Sequence, residues 1–206
     1  MLIESIPVGM MGVNCYVFGD KKEACIIDPG GNAEKIYSYI EEHALNVKYI
    51  ILTHCHFDHI LATEDIKKKT NAKLVACLAE SNNLQDFSIN LTNRFARTPS
   101  SLVADIYVSD GDKLFLGSNV FQIIETPGHT SGGMCLYCKD QKILFSGDTL
   151  FAESIGRSDF PTGDHCSLLH SIRSKLFILP DETKVYPGHG DVTSIGYEKE
   201  NNPYLQ

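Results

Sequence analysis

The hexapeptide at positions 54–59, His-Cys-His-Phe-Asp-His, concentrates side chains that bind transition metals. It follows the apolar run Tyr-Ile-Ile-Leu at 49–52, so we expect it where a buried strand ends. Alternate side chains of an extended segment point to the same side, so His54 and His56 should face together and the intervening cysteine away. The Asp-His pair that closes the hexapeptide begins a predicted helix. One such loop can therefore supply ligands to two neighbouring metal ions.

Three more ligand candidates each follow a predicted strand, and a glycine precedes each of them. Glycine allows the backbone to bend sharply and to approach other groups closely. Taken singly, each Gly-His or Gly-Asp pair is more typical of a turn, and the joint pattern is what indicates a metal centre. Histidine and aspartate donors suit zinc, and they also suit iron or manganese. The complete set of predicted ligands is His54, His56, Asp58, His59, His129, Asp148 and His189.

Composition limits the classes of protein to which the chain can belong. A length of 206 residues predicts one domain over 1–206 with a substantial core. The net charge of −8 argues against non-specific binding to nucleic acid or to an anionic membrane, and the apolar runs are too short to span a bilayer. Seven irregularly spaced cysteines and an N-terminus without a secretory pattern predict free thiols and a cytoplasmic protein. We expect a small-molecule substrate, and composition leaves the oligomeric state open.

The predicted elements are strands first, then alternating strands and helices, then strands again. This order predicts an α/β fold in which two mixed sheets pack face to face with helices outside, a four-layer αββα sandwich. Residues 80–104 are polar and irregular, and they form either a substrate lid or, as we favour, a packed surface excursion. The predicted strands are 2–8, 13–19, 24–28, one ending near Thr53, 73–77, 105–108, 114–117, 119–125, 133–138, 142–147 and one ending near Tyr186. The predicted helices are 33–45 with Asn32 as N-cap, about 58–69, and about 165–177 with Asp164 as N-cap.

The chain resembles the metallo-β-lactamase superfamily in four motifs: HxHxDH at 54–59, TPGHT at 126–130, GDTLF at 147–151 and PGH at 187–189. Within that superfamily it resembles the small branch similar to glyoxalase II, or hydroxyacylglutathione hydrolase. The resemblance implies an αββα sandwich and two divalent metal ions, with zinc the first candidate. It implies that His54, His56 and His129 bind the first ion, that Asp58, His59 and His189 bind the second, and that Asp148 bridges both.

The resemblance also implies a hydrolytic mechanism. A metal-bound water can lose its proton near neutral pH, and the resulting bridging hydroxide would attack an ester or thioester carbonyl. Asp58 is predicted to be catalytic, because it would orient this hydroxide as well as bind its metal ion. Asp28 lies in the sequence Ile-Ile-Asp-Pro-Gly and either forms a turn or orients a ligand histidine; the resemblance favours the second interpretation.

The segment 154–161 follows Asp148 by a few residues and should pass close to the metal ions. Arg157 could bind a substrate carboxylate or phosphate with two parallel hydrogen bonds. Alternatively, Arg157 pairs with Asp159 and only stiffens the loop. Full-length glyoxalase II has a Lys and a Tyr in this loop and a helical domain after it, whereas this chain has Arg157 and Asp159 and stops at position 206. The hydrolytic residues are therefore better supported than glutathione recognition, and Arg157 and Asp159 are the candidate substrate residues.

Two other functions compete with a binuclear hydrolase of thioesters or related acyl esters, the leading prediction. Persulfide dioxygenases resemble the chain as well, including the Gly-Arg-Ser-Asp-Phe loop at 156–160, and they use one iron at positions that match His54, His129 and Asp148. The complete second ligand set, with His189, favours hydrolysis. The third possibility is a non-catalytic metal-binding protein on the same fold. Lactam hydrolysis is less favoured, because those enzymes usually act outside the cytoplasm.

Overall fold

Two six-stranded mixed sheets pack face to face in the computed structural model, which describes residues 1–20 and 23–206. Helices cover the outer surface of each sheet. This arrangement confirms the predicted αββα sandwich of four layers. In the described part of the chain, no helix combines the length and the apolar character that crossing a bilayer requires.

The first sheet takes its strands in chain order. Its first three strands pair antiparallel, and β3 to β6 run parallel. The carboxyl ends of β3 and β4 therefore meet at one edge, where Ile27 pairs with Ile51. The strands are β1 (Leu2–Val8), β2 (Val13–Gly19), β3 (Glu23–Ile27), β4 (Asn46–Ile51), β5 (Lys73–Cys77) and β6 (Ile106–Val108).

The second sheet has the order β14-β13-β10-β9-β8-β7. The neighbouring strands β13 and β10 are parallel, so these two strands also end at the same edge. The strands are β7 (Lys113–Leu116), β8 (Asn119–Glu125), β9 (Met134–Cys138), β10 (Ile143–Gly147), β13 (Lys184–Pro187) and β14 (Thr193–Ser194). A separate hairpin is formed by β11 (Leu150–Phe151) and β12 (Ser154–Ile155).

Within residues 1–20 and 23–206, six short α-helices flank the sheets. Ile36 of the first helix and Ile66 of the third pack on the first sheet, and Leu168 of the fifth packs on the second. A π-helical turn, Ile172–Leu176, extends the fifth helix. The helices are α1 (Ala33–Glu42), α2 (Phe57–Ile60), α3 (Thr63–Thr70), α4 (Thr92–Phe95), α5 (His165–Ser171) and α6 (Ile195–Asn201).

The layer between the sheets is apolar and rich in aromatic rings. Phe18 of the first sheet contacts Phe121 and Phe145 of the second, with ring centroids 5.0 and 5.6 Å apart. Alternation along β9 puts Cys138 in this layer and Cys135 in the outer layer under α5. The two buried thiols of the Cys-Leu-Tyr-Cys sequence at 135–138 therefore lie on opposite faces of the sheet. This placement indicates a packing role for both cysteines rather than a redox pair.

Two details of the predicted helices were wrong. The helix predicted over 58–69 is broken into α2 and α3, because the Ala62 N–H donates to the carbonyl of Pro29 (2.9 Å) instead of continuing the helical ladder. Asn32 does not cap α1 with its side chain: its Oδ1 accepts from the Gly9 N–H at 2.7 Å. In contrast, Asp164 caps α5 as predicted, accepting from the Ser167 N–H.

The predicted pattern missed the hairpin β11–β12, the strand β14 and the helix α6. In the stretch 80–104, only short helical turns and α4 are regular. Leu84, Leu91 and Leu102 of this stretch are buried. The stretch is therefore packed on the body of the protein, in agreement with the favoured interpretation.

Candidate metal centre

The loops that carry the predicted ligands meet at one edge of the sandwich. The first sheet contributes loops after β3 and β4, and the second sheet contributes loops after β8, β10 and β13. Their proximity follows from the parallel pairs β3–β4 and β10–β13, whose carboxyl ends lie side by side. These loops carry, in chain order, Asp28, the hexapeptide 54–59, His129, Asp148 and His189.

Three imidazoles form the first half of the centre, which we call the imidazole half: His54, His56 and His129. One nitrogen from each ring lies within 4.8 Å of the others, and His56 Nδ1 is 2.8 Å from His129 Nε2. All three rings are buried. Burial and the neighbouring His129 lower the pKa of His56 to about 3. The ring is therefore neutral at physiological pH, the form in which an imidazole nitrogen binds a metal ion.

A carboxylate and two imidazoles form the second half, which we call the mixed half: Asp58, His59 and His189. Their candidate ligand atoms also lie within 4.8 Å of one another. His189 Nε2 is 3.3 Å from Asp58 Oδ2, and His59 Nε2 is 3.9 Å from it. Burial alone would lower the pKa of His189, but the hydrogen bond with Asp58 and the charge of Asp148 together outweigh burial and raise it.

Asp148 lies between the two halves. Its Oδ1 is 3.4 Å from His59 Nε2, and its Oδ2 is 3.6 Å from both His129 Nε2 and His189 Nε2. Burial alone would raise the pKa of Asp148, yet the imidazoles of His59 and His129 hold it well below its usual value. The side chain is therefore an ionised carboxylate whose Oδ1 faces the mixed half and whose Oδ2 lies between the two halves.

Several buried polar atoms at this edge have no hydrogen-bond partner within residues 1–20 and 23–206, among them His54 Nε2, His59 Nε2 and Asp148 Oδ1. An unpaired buried polar atom is costly, and native structures contain few of them. A divalent metal ion removes this cost, because it binds imidazole nitrogen and carboxylate oxygen directly. The residues present therefore fit zinc, iron or manganese.

The outward-facing ring nitrogens are held by hydrogen bonds. His59 Nδ1 donates to Asp28 Oδ2 at 2.9 Å, and His129 Nδ1 donates to the Arg157 carbonyl at 2.6 Å. Asp28 also accepts from Thr53, through the N–H at 2.8 Å and the hydroxyl at 2.7 Å. Because the Thr53 hydroxyl donates to Asp28, its oxygen accepts from His54 Nδ1 at 3.1 Å. These contacts turn the free nitrogens toward the centre.

Two glycines of the ligand motifs lie where the site leaves no space for a side chain. A Cβ on Gly188 would lie 2.3 Å from Asp148 Oδ1 and 2.7 Å from His59 Cε1. Gly147 has φ +49°, and a Cβ there would lie 2.3 Å from Thr53 Oγ1. A side chain at position 188 would displace Asp148 and His59, and one at position 147 would displace Thr53, which hydrogen-bonds to Asp28 and His54.

The predicted substrate residues lie at the mouth of the centre. Arg157 makes its two parallel hydrogen bonds with Asp159, both at 2.7 Å, so the guanidinium is already paired with a carboxylate of its own loop. The same guanidinium lies 3.8 Å from the ring centroid of Phe160, and the Phe160 and His56 rings pack in a T-shaped arrangement. The alternative interpretation of this loop, a stiffening pair, therefore matches the contacts.

Several residues beside the ligands escaped the sequence analysis. Thr53 could have been found as a polar residue at the strand end next to His54. The Arg157 carbonyl that holds His129 has no sequence signal, because every residue has a carbonyl. Phe95 stacks on Phe57 with centroids 4.8 Å apart, and this contact between distant segments leaves no local pattern either.

The family follows from comparison with known proteins. The family model of the Metallo-beta-lactamase superfamily matches residues 8–189. This chain belongs to the metallo-β-lactamase superfamily. Among curated relatives, hydroxyacylglutathione hydrolase GloC from Haemophilus influenzae is 38% identical over 208 residues, covering 100% of the chain and 98% of that protein. The predicted resemblance to the hydroxyacylglutathione hydrolase-like branch is thus confirmed.

Solved structures of this superfamily superpose over nearly the whole chain. The BLEG-1 B3 metallo-β-lactamase has a TM-score of 0.94 and 38% identity, with 100% of both chains covered. TTHA1623 in a di-iron-bound form has a TM-score of 0.88 and 29% identity, covering 98% of this chain and 100% of its own. ETHE1 from Myxococcus xanthus has a TM-score of 0.81 and 31% identity, covering 98% and 84%. The fold is therefore that of the superfamily.

Replacement of Asp28 by asparagine is expected to weaken metal binding about 10- to 100-fold, the usual cost of losing a partner of a metal-binding histidine. Asparagine tolerates the left-handed backbone of Asp28 (φ 53°), so the substitution changes the hydrogen bonds and not the turn. The affinity for zinc, measured by competition with a chromophoric chelator, checks this expectation. An affinity equal to that of the unaltered protein would show that Asp28 only forms a turn.

Proposed function

We propose that this protein is a metal-dependent hydrolase of thioesters or related acyl esters, and that it works with two divalent metal ions, zinc being the first candidate. The observation that carries the proposal is the pairing of two complete ligand sets, the imidazole half and the mixed half, through Asp148. Relatedness to GloC, a hydroxyacylglutathione hydrolase by name, supports the reaction class.

The imidazole half would hold one ion, the mixed half the other, and Asp148 would bind both. When bound, divalent ions lower the pKa of a water molecule to supply the nucleophile and polarise the substrate carbonyl. Burial alone would raise the pKa of Asp58, but the imidazole of His59 and the hydrogen bond with His189 outweigh burial and lower it. Asp58 therefore stays ionised and can accept a hydrogen bond from the attacking water, which orients one lone pair of that water toward the carbonyl carbon.

Aromatic rings flank the centre on two sides. Phe160 contacts His56 with ring centroids 5.6 Å apart, and Phe151 contacts His189 at 6.2 Å. Both rings are partly exposed. In this proposal they contact the apolar part of the substrate and keep bulk water from the reacting carbonyl.

An oxygen-using iron enzyme is the second candidate. Relatedness to ETHE1 at 31% identity and the Gly-Arg-Ser-Asp-Phe loop at 156–160 favour it, and the di-iron form of TTHA1623 shows that iron suits this fold. Against it stands the mixed half, in which Asp58 and His189 come together within 3.3 Å. A mononuclear enzyme does not require this second set of ligands.

A substrate panel tests the proposal. Purified protein loaded with zinc, and separately with iron, is assayed for hydrolysis of S-lactoylglutathione and of a β-lactam, and for oxygen uptake with glutathione persulfide. We expect thioester hydrolysis to be the fastest reaction. Oxygen uptake by the iron form without thioester turnover would make the second candidate correct, and β-lactam hydrolysis alone would redirect the assignment to the activity named for BLEG-1.

Replacement of Asp159 by asparagine is expected to improve turnover of anionic substrates at low concentration. The exposed pair with Asp159 occupies Arg157, and such pairs contribute roughly 0.2–1 kcal/mol, so freeing the guanidinium should lower the KM for a carboxylate-bearing thioester by up to about fivefold. A neutral thioester serves as the control substrate, and its KM should not change. Equal changes for both substrates would show that the loop, and not the charge of Arg157, is responsible.

A further inference from the structure

Each half of the metal centre combines ligands from both sheets. The hexapeptide loop after β4 supplies His54 and His56 to the imidazole half, and the second sheet supplies His129. The same loop supplies Asp58 and His59 to the mixed half, and the loop after β13 supplies His189. The geometry of each half therefore depends on how firmly the two sheets are joined at this edge. Two polar side chains outside the ligand set, Asn14 and Glu80, contribute to that connection, one at each half.

The first is Asn14, at the start of β2 in the first sheet. Its Nδ2 donates to the carbonyls of Pro187 (3.1 Å) and Gly190 (2.9 Å), and its N–H donates to the carbonyl of Gly188 (2.8 Å). These three acceptors flank His189 on both sides. Asn14 of the first sheet thus holds the backbone on both sides of His189, the candidate ligand from the second sheet.

Two neighbours of Asn14 complete this connection. Ser5 Oγ donates to Asn14 Oδ1 at 3.1 Å, which turns the amide nitrogen toward the His189 loop. The buried hydroxyl of Tyr16, two residues along β2, donates to the same Pro187 carbonyl at 2.7 Å. The contacts of Asn14 therefore belong to a built arrangement rather than to a single chance bond.

The second side chain is Glu80, which lies in a helical turn after β5 and is 1% exposed. One carboxylate oxygen accepts from the Thr130 hydroxyl, beside His129, and the other accepts from Asn83 Nδ2 at 2.5 Å. Cys55, between His54 and His56, lies close to Glu80: burial raises the pKa of its thiol, and the charge of the neighbouring Glu80 raises it further. All these donors are uncharged.

Burial of a carboxylate among uncharged donors costs free energy. Glu80 lies between the two loops that supply the imidazole half: it is hydrogen-bonded to Thr130 of the second sheet's loop and adjacent to Cys55 of the first sheet's loop. The mixed half has no contact with Glu80 through these bonds. The two connections are therefore separate, one for each half.

We propose that Asn14 and Glu80 are positioning residues, Asn14 for the mixed half and Glu80 for the imidazole half. This inference rests on the two-metal centre of the proposed function. Partners that orient metal ligands typically contribute about 10- to 100-fold in metal affinity. Each residue should therefore control the affinity of one half and leave the other half almost unchanged.

The test measures two stepwise zinc dissociation constants for the full chain by competition with a chromophoric chelator. The variants His56→Ala and His189→Ala identify which constant belongs to which half. The test variants are Asn14→Ala and Glu80→Gln. Two matched controls remove similar buried hydrogen bonds elsewhere: Asn90→Ala, whose amide donates to the carbonyls of Leu84 and Ser100, and Glu198→Gln, a buried carboxylate with three donors.

We expect Asn14→Ala to weaken the constant of the mixed half about 10- to 100-fold and Glu80→Gln to weaken that of the imidazole half by a similar factor. The other constant should stay within about twofold, as should both constants in Asn90→Ala and Glu198→Gln. The inference is overturned if each test variant weakens both halves equally, or weakens neither beyond its control. Thioester turnover is measured in parallel: two bound zinc ions without turnover in the unaltered protein would count against the proposed function alone.

Discussion

Replacement of Asp148 by asparagine is expected to lower turnover by at least about a thousandfold, since a lost metal contribution of several kcal/mol corresponds to about three factors of ten. Asp148 is the one carboxylate whose oxygens face both halves, at 3.4 Å from His59 Nε2 and 3.6 Å from His129 Nε2. Asparagine keeps the shape but removes the charge and one acceptor oxygen. Both bound metal ions should be lost or weakly held, which elemental analysis after dialysis measures.

The matched control for this substitution is Asp140→Asn. Asp140 is an exposed aspartate in the turn after β9, so the change in net charge is the same and the metal centre is not touched. The control should keep full metal content and full turnover. Retention of two metal ions and of turnover by Asp148→Asn would contradict the role of this carboxylate.

Replacement of Asp58 by alanine is expected to lower turnover about 10²- to 10⁴-fold, the range for losing a group that handles a proton in the reaction. Asp58 lies 3.3 Å from His189 Nε2 and 12% of its side chain is exposed, so it is both a candidate ligand and within reach of a bound water. Metal content should fall toward one ion per chain, because the mixed half loses its carboxylate. The variant Asp58→Asn, which keeps an oxygen donor, should retain more metal than Asp58→Ala and still turn over slowly.

Asp65→Ala provides the control, since Asp65 is an exposed aspartate on α3 within the same stretch of chain. It should behave like the unaltered protein in both measurements. Full turnover of Asp58→Ala with intact metal content would remove Asp58 from the mechanism. Loss of metal with full turnover would show that the imidazole half alone suffices.

The loops that carry the candidate ligands could be predicted because their signal is local. An apolar run followed by closely spaced histidines predicts where β4 ends and which side chains of the hexapeptide at 54–59 face together. Gly-His and Gly-Asp pairs mark the ends of the other strands in the same way. The assembly at one edge then follows from the parallel pairing of β3 with β4 and of β10 with β13. The predicted order of strands and helices fits two sheets with helices outside, and the structure confirms that fold.

The details that failed depend on contacts between distant segments. The break between α2 and α3 arises because the Ala62 N–H donates to the Pro29 carbonyl. No local sequence pattern around Ala62 predicts this hydrogen bond. The left-handed Asn32 serves the β1–β2 turn through Gly9 instead of its own helix. Tertiary hydrogen bonds outweighed local capping preference in both places.

The residues that hold the loops were hidden for the same reason. Asn14 is an ordinary polar residue at a strand start, and only the approach of the His189 loop from the other sheet gives it three acceptors. Glu80 sits in a stretch that reads as irregular surface, yet it is buried between two ligand loops. A buried carboxylate has no periodic signature, so its position could come only from the structure.

The measurement that tests the central proposal most directly is a metal titration followed by turnover. Metal-free protein receives zinc in steps from zero to three equivalents per chain, and S-lactoylglutathione hydrolysis is recorded at each step. We predict that turnover rises with zinc, reaches its plateau at two equivalents, and stays at background in Asp148→Asn at every step. A plateau at one equivalent, or zinc binding without any thioester hydrolysis, would contradict a two-metal thioester hydrolase.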